Sequence, residues 1–139
     1  MQHLLTQLQR HAVNHPERIA LICGDARISY RSLAQKIKEL KQTLGIVGGR
    51  SFAFQLDNGP DWIVNDLAAA ASGLNVIPIP GFFSDQQRDH VLFDAMVDIY
   101  ASSDGLSPGE DWCAPIDPLA NTHGIFHRAV AAELECVDT

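Results

Sequence analysis

Between residues 51 and 103 the sequence alternates short apolar strands with longer helical segments, and this alternation restricts the fold more than any other feature. The run SFAFQL is typical of a strand buried on both faces, and DWIVNDLAAAAS predicts a helix that is apolar almost all round. GLNVIPIP and DIYASS predict two more strands, with a second helix between them. Each connection is long enough to return the chain to a parallel neighbour. We therefore predict an α/β fold with a three-layer, mostly parallel, doubly wound sheet and flanking helices.

Ahead of this sheet the sequence predicts a helix, an N-terminal β-hairpin and a second helix. Leucines at helical spacing indicate the first helix over residues 3–14. The segment RIALICGDARISY is typical of a hairpin, with its turn at Gly24–Asp25. An aliphatic stripe then predicts a helix over residues 31–44, with Ser29 as its N-cap and Gly45 as its stop.

The two helices between the strands carry start signals of their own. Asn58 or Gly59 is the cap of the first, and Pro60 takes the first helical position, where the missing N–H costs nothing. Ser84, followed three residues later by Gln87, predicts a capping box for the second. The core-facing stripe that we predict for this second helix consists of Val91, Leu92, Ala95 and Met96.

Two prolines at strand spacing interrupt the strand GLNVIPIP. Pro78 and Pro80 leave one side of its carboxyl end without N–H donors, which favours a strand that lies at an edge or projects beyond its neighbour. The following PGFF carries the chain over the carboxyl end of the sheet, where open α/β folds place their ligands.

The length of 139 residues indicates a single domain. Residues 1–104 hold the alternating elements, and 105–123 are a loop rich in proline and glycine. Residues 124–139 contain a last strand, IFHRAV, and a connection that looks truncated.

Composition excludes several classes of protein. A net charge of −7 argues against a general nucleic-acid binder. No apolar run reaches the roughly 18–20 residues of a membrane span, and the N-terminus is too polar for a signal peptide. The widely spaced Cys23, Cys113 and Cys136 fit a reducing compartment better than a disulfide scaffold, so we expect a cytoplasmic protein.

The segment SFAFQLDNGPDW has the strand–loop–helix order that binds anions at a helix N-terminus. Asp57 and Asp61 would repel a phosphate there, and the loop lacks a glycine-rich fingerprint. Asp61 is better explained as a partner of the helix dipole.

Two histidine pairs have spacings that metal sites use, and neither is convincing. Cys113, His123 and His127 lack an obvious fourth ligand and a Cys-x-x-Cys pair. His11 and His15 lie where a helix is ending, and we interpret them as surface residues.

Candidate nucleophiles have simpler explanations. Cys23 lies beside a hairpin turn and is explained as a small apolar residue that fills space in the packing. Ser29, Ser32 and Ser84 lie at helix starts, and no Gly-x-Ser-x-Gly elbow is present. The residues by themselves indicate no catalytic constellation.

Three aromatic residues are candidates for contacts with a ligand or a partner. Trp62 is more typical of a core anchor than of a ligand platform. Phe82 and Phe83 cannot both point into one core, so one of them is available for an interface.

The order of these local signals resembles the AMP-forming adenylate-forming enzymes, which include acyl-CoA synthetases and nonribosomal peptide adenylation domains. HPERIALICGDARISYRSLAQKIKEL is similar to the opening of that family, with His15–Pro16, the Gly24–Asp25 turn and a helix start at Ser29–Leu33. GGRSFAFQLDNGPDWIVNDLAAAASGLNVIPIP resembles the family's next block. The matching positions there are Gly49, Arg50, Asn58, Pro60, Asp61, Trp62, Gly73, Pro78 and Pro80. DHVLFDAMVDIYASSD resembles the following helix and strand, so the resemblance covers residues 1 to about 104.

The resemblance implies a parent ligase that uses ATP and Mg²⁺ to convert a carboxylic acid to its acyl-adenylate. The acyl group then passes to a thiol of CoA or of a carrier protein. The PGFF loop favours acyl-CoA synthetase or acyl-AMP ligase types over peptide adenylation domains.

The family's Pro-Lys-Gly phosphate loop, its adenine and Mg²⁺ motifs and its C-terminal domain do not occur in these 139 residues. We therefore expect an inactive N-terminal scaffold fragment whose partner is the remainder of the parent chain. We expect it to contain no catalytic, cofactor-binding or metal-binding residue. An exposed sheet edge in such a fragment favours self-association.

Two alternatives stay open at this point. One is a self-standing α/β interaction module that binds a partner through Phe82 and Phe83. The other is a flavodoxin-like cofactor binder.

Overall fold

The computed structural model describes residues 2–57, 59–114 and 124–128. Its helices are α1 Gln2–Asn14, α2 Tyr30–Val47, α3 Pro60–Ala71 and α4 Asp85–Asp94. Its strands are β1 Ile19–Cys23, β2 Ala26–Ser29, β3 Ser51–Gln55, β4 Asn75–Pro78, β5 Ile99–Ser102, β6 Trp112–Cys113 and β7 Ile125–Arg128. Within this part of the chain no helix is both long and apolar enough to cross a bilayer.

The main sheet has five strands in the order β4-β3-β5-β7-β6. Strand β3 runs parallel to both β4 and β5, whereas β7 pairs antiparallel with β5 and with β6. Strands β1 and β2 form the separate antiparallel hairpin that the sequence predicts. The α/β fold with a mostly parallel sheet and an N-terminal hairpin is therefore confirmed.

Strand β6 corrects one expectation. Trp112 and Cys113 fall in the segment 105–123 that the sequence predicts to be a loop, yet they pair with Arg128 and His127 of β7. A strand of two residues has no periodicity of its own, so only its distant partner reveals it.

Strand β3 separates the core into two clusters because its side chains alternate between the faces of the sheet. Phe52 and Phe54 pack with the buried residues of α1, α2 and α3 on one face. Ala53 packs on the other face with Leu92 of α4 and Tyr100 of β5. Helices therefore cover both faces, which gives the predicted three layers.

Helix α2 begins at the predicted cap but ends later than predicted. The backbone N–H of Ser32 donates to Ser29 Oγ over 3.2 Å. Gly45 stays helical, and the helix ends at Gly48, where φ is 72° and the N–H donates to the Leu44 carbonyl. Val47 packs against the core, which keeps the last turn helical past Gly45.

Helix α3 begins at Pro60 as predicted, after Gly59, which offers no side-chain cap. Asn58, the other predicted cap, lies outside the described residues. The helix buries Val64, Leu67 and Ala68 against the sheet and α2.

Helix α4 has the predicted capping box. Gln87 N–H donates to Ser84 Oγ over 3.1 Å, and Ser84 N–H donates to Gln87 Oε1 over 2.8 Å. The predicted burial of Ala95 and Met96 is wrong, because the helix ends at Asp94. Met96 takes a φ of 53° as the chain turns towards β5, and its side chain is 81% exposed.

A carboxylate fixes the turn that leads into β3. Asp98, just before β5, accepts hydrogen bonds from the backbone N–H groups of Arg50 and Ser51 at 2.9–3.2 Å. Gly49 lies against it with a φ of 137°, and a Cβ there would come within 2.9 Å of Asp98 Oδ1. The glycine allows the backbone to approach the carboxylate closely.

Strand β4 lies at an edge of the sheet, as its prolines predict. The N–H groups of Asn75 and Ile79 donate to the carbonyls of Arg50 and Phe54, both at 2.8 Å. Because N–H groups two residues apart point to the same side of a strand, Pro78 and Pro80 face the open edge. The carboxyl end of that edge lacks donors, and this protects it against edge-to-edge association.

Restoring those donors tests the protective role of the prolines. We expect the double variant Pro78→Val/Pro80→Val to self-associate in a concentration-dependent way in sedimentation velocity. Its free energy of unfolding should fall by about 1 kcal/mol, because valine leaves the unfolded chain more freedom. Pro108→Val, in the loop before β6, is the control and should sediment as the parent chain does. A double variant that sediments like the parent chain would show that the prolines do not protect the edge.

Candidate functional site

A cleft opens at the carboxyl ends of β3 and β5. The connection after β3 leaves through α3 to β4 on one side, and the chain after β5 leaves towards β6 and β7 on the other. Open α/β sheets bind ligands where adjacent connections diverge in this way. The cleft has a volume of about 370 Å³ and lies between the first turns of α3 and the segment Ser102–Gly105.

The loops that border the cleft are tied to each other. The backbone N–H of Asp57, after β3, donates to Ser103 Oγ over 2.8 Å. The backbone N–H of Ser103 donates in turn to the Gln55 carbonyl over 3.1 Å. On α3 the side-chain amide of Asn65 donates to the Asp61 carbonyl over 2.8 Å. The border of the cleft is therefore held by hydrogen bonds.

The polar lining of the cleft is acidic. Asp61 and Asp104 contribute carboxylates, and Ser102 and Ser103 contribute hydroxyl groups. The Ser102 hydroxyl donates to Asp104 Oδ1 and the Leu106 N–H donates to the same oxygen over 2.9 Å. These two hydrogen bonds, that of Ser102 first, lower the pKa of Asp104 below its ordinary value.

The acidic lining of the cleft does not fit a nucleoside triphosphate. Among the described residues that line the cleft there is no lysine, arginine or histidine, and the two carboxylates would repel a phosphate. Asp61 occupies the first turn of α3, where it complements the helix dipole.

The loop after β4 is held over the same end of the sheet by Gln55, the last residue of β3. Its side-chain Nε2 donates to the carbonyls of Pro80 and Phe83 at 3.1 and 3.2 Å. Its Oε1 accepts from the hydroxyl of Tyr100 over 3.1 Å. One amide therefore joins β3, β5 and the PGFF loop.

The PGFF loop presents one aromatic ring to solvent and keeps the other inside. Phe83 packs against the cluster under α4, whereas Phe82 is 86% exposed. The two rings meet edge to face with centroids 5.5 Å apart. The expectation that the two phenylalanines cannot share one core is confirmed.

Tyr100 is fully buried beneath this loop. Burial raises the pKa of its hydroxyl, and the Arg88 guanidinium, 5.8 Å from the ring centroid, opposes the rise. The hydroxyl therefore stays protonated and can donate to Gln55.

Sequence reasoning missed Gln55. The available signal was a polar residue at the end of the buried run SFAFQ, which places an amide where the strand stops pairing. Its partners lie 25 to 45 residues away along the chain, so no local pattern reveals them.

The other predicted candidates are distributed over the fold. Trp62 packs edge to face on Phe54, with centroids 5.5 Å apart, as a core anchor does. Ser29 and Ser84 are helix caps. Within residues 2–57, 59–114 and 124–128 no group of three or more histidine, cysteine or acidic residues is arranged to hold a metal ion.

Two of the histidine candidates, His11 and His15, lie near each other at the end of α1. His11 lies 4.9 Å from the Tyr30 ring and 6.2 Å from the His15 ring, measured between centroids. His127 lies opposite Cys113 in the β6–β7 pair, and His123 lies outside the described residues.

The sequence predicts that the cysteines fit a reducing compartment better than a disulfide scaffold, and the structure differs from this at Cys113. Cys23 is a free thiol, whereas Cys113 is disulfide-bonded. Spacing along the chain does not show which sulfur atoms meet in space, so the sequence could not predict this bond.

Comparison with protein families identifies the chain. The family model for AMP-binding enzymes matches residues 8–123. The chain belongs to the AMP-binding enzyme family.

Curated relatives of this chain include large peptide synthases. The dimodular nonribosomal peptide synthase of Bacillus subtilis (strain 168) is 30% identical over 134 residues, which are 94% of this chain and 5% of that protein. Tyrocidine synthase 2 of Brevibacillus parabrevis is 26% identical over 137 residues, 85% of this chain and 4% of that protein. The chain therefore spans a small part of the curated relatives it matches.

Solved structures share the fold. The Klebsiella oxytoca NpsA N-terminal subdomain in complex with 3-hydroxybenzoyl-AMSN has a TM-score of 0.64 at 24% identity, over 76% of this chain and 28% of that one. O-succinylbenzoate coenzyme A synthetase from Bacillus subtilis in complex with AMP has a TM-score of 0.61 at 22% identity, over 72% and 27%. Both classes named in the sequence resemblance thus share this architecture, and the preference for acyl-CoA synthetase types stays a prediction.

Removing the Gln55 amide tests how the loop is held. We expect Gln55→Ala to lower the free energy of unfolding by about 2 kcal/mol, since two hydrogen bonds disappear and the buried Tyr100 hydroxyl loses its acceptor. Amide hydrogen exchange at Phe82 and Phe83 should accelerate. Gln35→Ala is the control, because that amide binds only the exposed Glu39; it should change stability by less than about 0.5 kcal/mol. Unchanged exchange in Gln55→Ala would contradict the role given to this amide.

The lowered pKa of Asp104 predicts a pH effect of definite sign. A carboxyl with a depressed pKa in the folded state stabilises the fold above its unfolded pKa of about 4, and this contribution is lost as pH falls through the folded value. We expect Ser102→Ala to raise the pKa of Asp104, measured by NMR titration of its carboxyl carbon. Ser107→Ala, whose hydroxyl bonds to Gly109, should leave that pKa in place. If the pKa of Asp104 is the same in Ser102→Ala and Ser107→Ala, the Ser102 hydroxyl is not the cause of the lowered pKa.

Proposed function

We propose that this chain supplies the first α/β scaffold of an AMP-forming acid–thiol ligase. The observation that carries the proposal is the family match over residues 8–123. The shared fold of solved N-terminal subdomains supports it. The parent ligase converts a carboxylic acid to its acyl-adenylate with ATP and Mg²⁺, and passes the acyl group to a thiol of CoA or of a carrier protein.

The chemistry of the cleft supports a scaffold role rather than nucleotide binding. A transferring phosphate needs cationic groups or a metal ion to stabilise its charge. The described part of the cleft offers carboxylates and hydroxyl groups instead. In this proposal ATP and Mg²⁺ are bound by the remainder of the parent chain, which is the main partner of these residues. Because the reaction consumes ATP, we place the parent in the cytoplasm.

The geometry at the carboxyl end of the sheet supports the scaffold role. Strand β3 and its neighbours bring three connections to one end of the sheet, and the Gln55 amide holds the loop there. We infer that this end of the sheet faces the remainder of the ligase and supports its reactive groups.

Two measurements test the proposal together. The purified 139-residue chain should show no ATP–pyrophosphate exchange with a panel of carboxylic acids, and the fluorescence of Trp62 and Trp112 should not respond to Mg-ATP. An NpsA chimera that carries residues 8–123 of this chain in place of its matching segment should fold and retain exchange at a reduced rate.

The outcomes separate the alternatives. Exchange by the isolated chain that weakens in Asp61→Asn would overturn the scaffold role, since the cleft would then be an active site. A chimera that is folded by circular dichroism yet inactive would contradict the scaffold role and favour an interaction module. A coloured protein with flavin absorbance would favour the cofactor binder.

A further inference from the structure

A second concave surface lies on the helix layer, away from the cleft at the carboxyl end of the sheet. It is a groove of about 610 Å³ between α1 and α2, and Ala71 of α3 also lines it. Its floor includes Leu5, Leu8 and Ile37, each 8% exposed, so the apolar surface is recessed. At the rim Val13 is 80% exposed. We call this surface the α1–α2 groove.

The α1–α2 groove carries positive charge in an acidic protein. All three lysines of the chain, Lys36, Lys38 and Lys41, lie on α2. Helix α1 contains one arginine and no acidic residue, which gives it a formal charge of +1. Helix α2 contains one arginine, three lysines and one glutamate, which give it +3. The two helices together therefore carry a formal charge of +4. The net charge of −7 then leaves −11 for the rest of the chain.

Two of the lysines border the groove. Lys38 and Lys41 line it, one helical turn apart on α2. Neither forms an ion pair with any residue in the described ranges. Helix α1, on the opposite side, contains no acidic residue. The groove thus combines a recessed apolar floor with two cationic groups that are available to an acidic ligand.

We propose that the α1–α2 groove binds an acidic amphipathic helix of a partner protein. The lining residues of α1 run from Leu5 to Val13, which is about 12 Å along the helix axis. A helix of about three turns would lay its apolar stripe on this floor, as in other helix-in-groove complexes. Its carboxylates would reach Lys38 and Lys41 at the rim, where opposite charges favour encounter and fix orientation.

The shape of the groove favours a helix over a lipid surface. A bilayer surface does not enter a recessed groove, whereas a ridge of side chains on a helix does. Recognition of anionic lipids also uses clusters of about four to eight cationic residues, and two line this groove. This inference does not depend on the ligase proposal, because the groove and the acidic cleft share no residue.

A labelled peptide tests the proposal on the full 139-residue chain. The probe is a fluorescein-labelled peptide of about four helical turns, with leucines along one helical face and glutamates beside them. Its control has a lysine in place of every glutamate. We expect fluorescence anisotropy to show saturable binding of the glutamate peptide, weaker at high salt, and at least tenfold weaker binding of the lysine peptide.

Charge-reversal variants locate the site. The double variant Lys38→Glu/Lys41→Glu should bind the glutamate peptide about tenfold more weakly, since both exposed cations become repulsive. Lys36→Glu is the matched control, because Lys36 lies on the same helix but does not line the groove. The affinity of this variant for the glutamate peptide should fall by less than twofold. Val13→Gln, at an exposed position, should weaken binding through the loss of apolar contact.

Several outcomes would overturn the proposal. Equal binding of the two peptides would show that the groove does not select an acidic helix. The same conclusion would follow if Lys36→Glu lost as much affinity for the glutamate peptide as Lys38→Glu/Lys41→Glu does. Absence of peptide binding together with binding to phosphatidylserine vesicles would assign the surface to lipid. Self-association that disappears in the double variant would assign it to a second copy of the chain.

Discussion

The burial of strand β3 on both faces is the constraint on which the rest of the structure depends. Phe52 and Phe54 are fully buried on the face covered by α1, α2 and α3, and burial of each contributes about 2–3 kcal/mol. Ala53 is small, which lets α4 and Tyr100 pack closely on the opposite face. A strand buried on both faces needs helices on both sides, and parallel neighbours supply them through their crossover connections. The three layers follow from this one strand.

The same strand determines what lies at the carboxyl end of the sheet. Gln55 is the last residue of β3 and follows its buried apolar residues. Its side-chain amide donates to two carbonyls of the PGFF loop after β4 and accepts a hydrogen bond from the Tyr100 hydroxyl. Strand β4 stops offering donors on its open side at Pro78 and Pro80, so the loop leaves the sheet there. The cleft beside α3 at the same end of the sheet is acidic, and no lysine, arginine or histidine is among its described lining residues. These properties fit a supporting segment of an AMP-binding enzyme, and the basic groove between α1 and α2 is a separate feature.

Local signals predicted most of the fold. Ser29 and the Ser84–Gln87 box cap helices because a cap needs only neighbouring residues. The hairpin turn and Pro60 were predictable for the same reason. Gly45 failed as a stop, because the packing of Val47 kept the helix intact for another turn. Met96 failed as a core residue, because the chain had already turned towards β5.

For this protein the sequence by itself determined the alternation of strands and helices, the N-caps of α2 and α4, the loss of donors at Pro78 and Pro80 and the family resemblance. These features depend on periodicity and on residues close together in the chain. Only the tertiary structure decided the pairing of β6, the three partners of Gln55 and the placement of two lysines beside an apolar groove. The physical reason is distance along the chain: each of these contacts joins groups from separate elements, which come together only when β3 is buried and the helices pack around it.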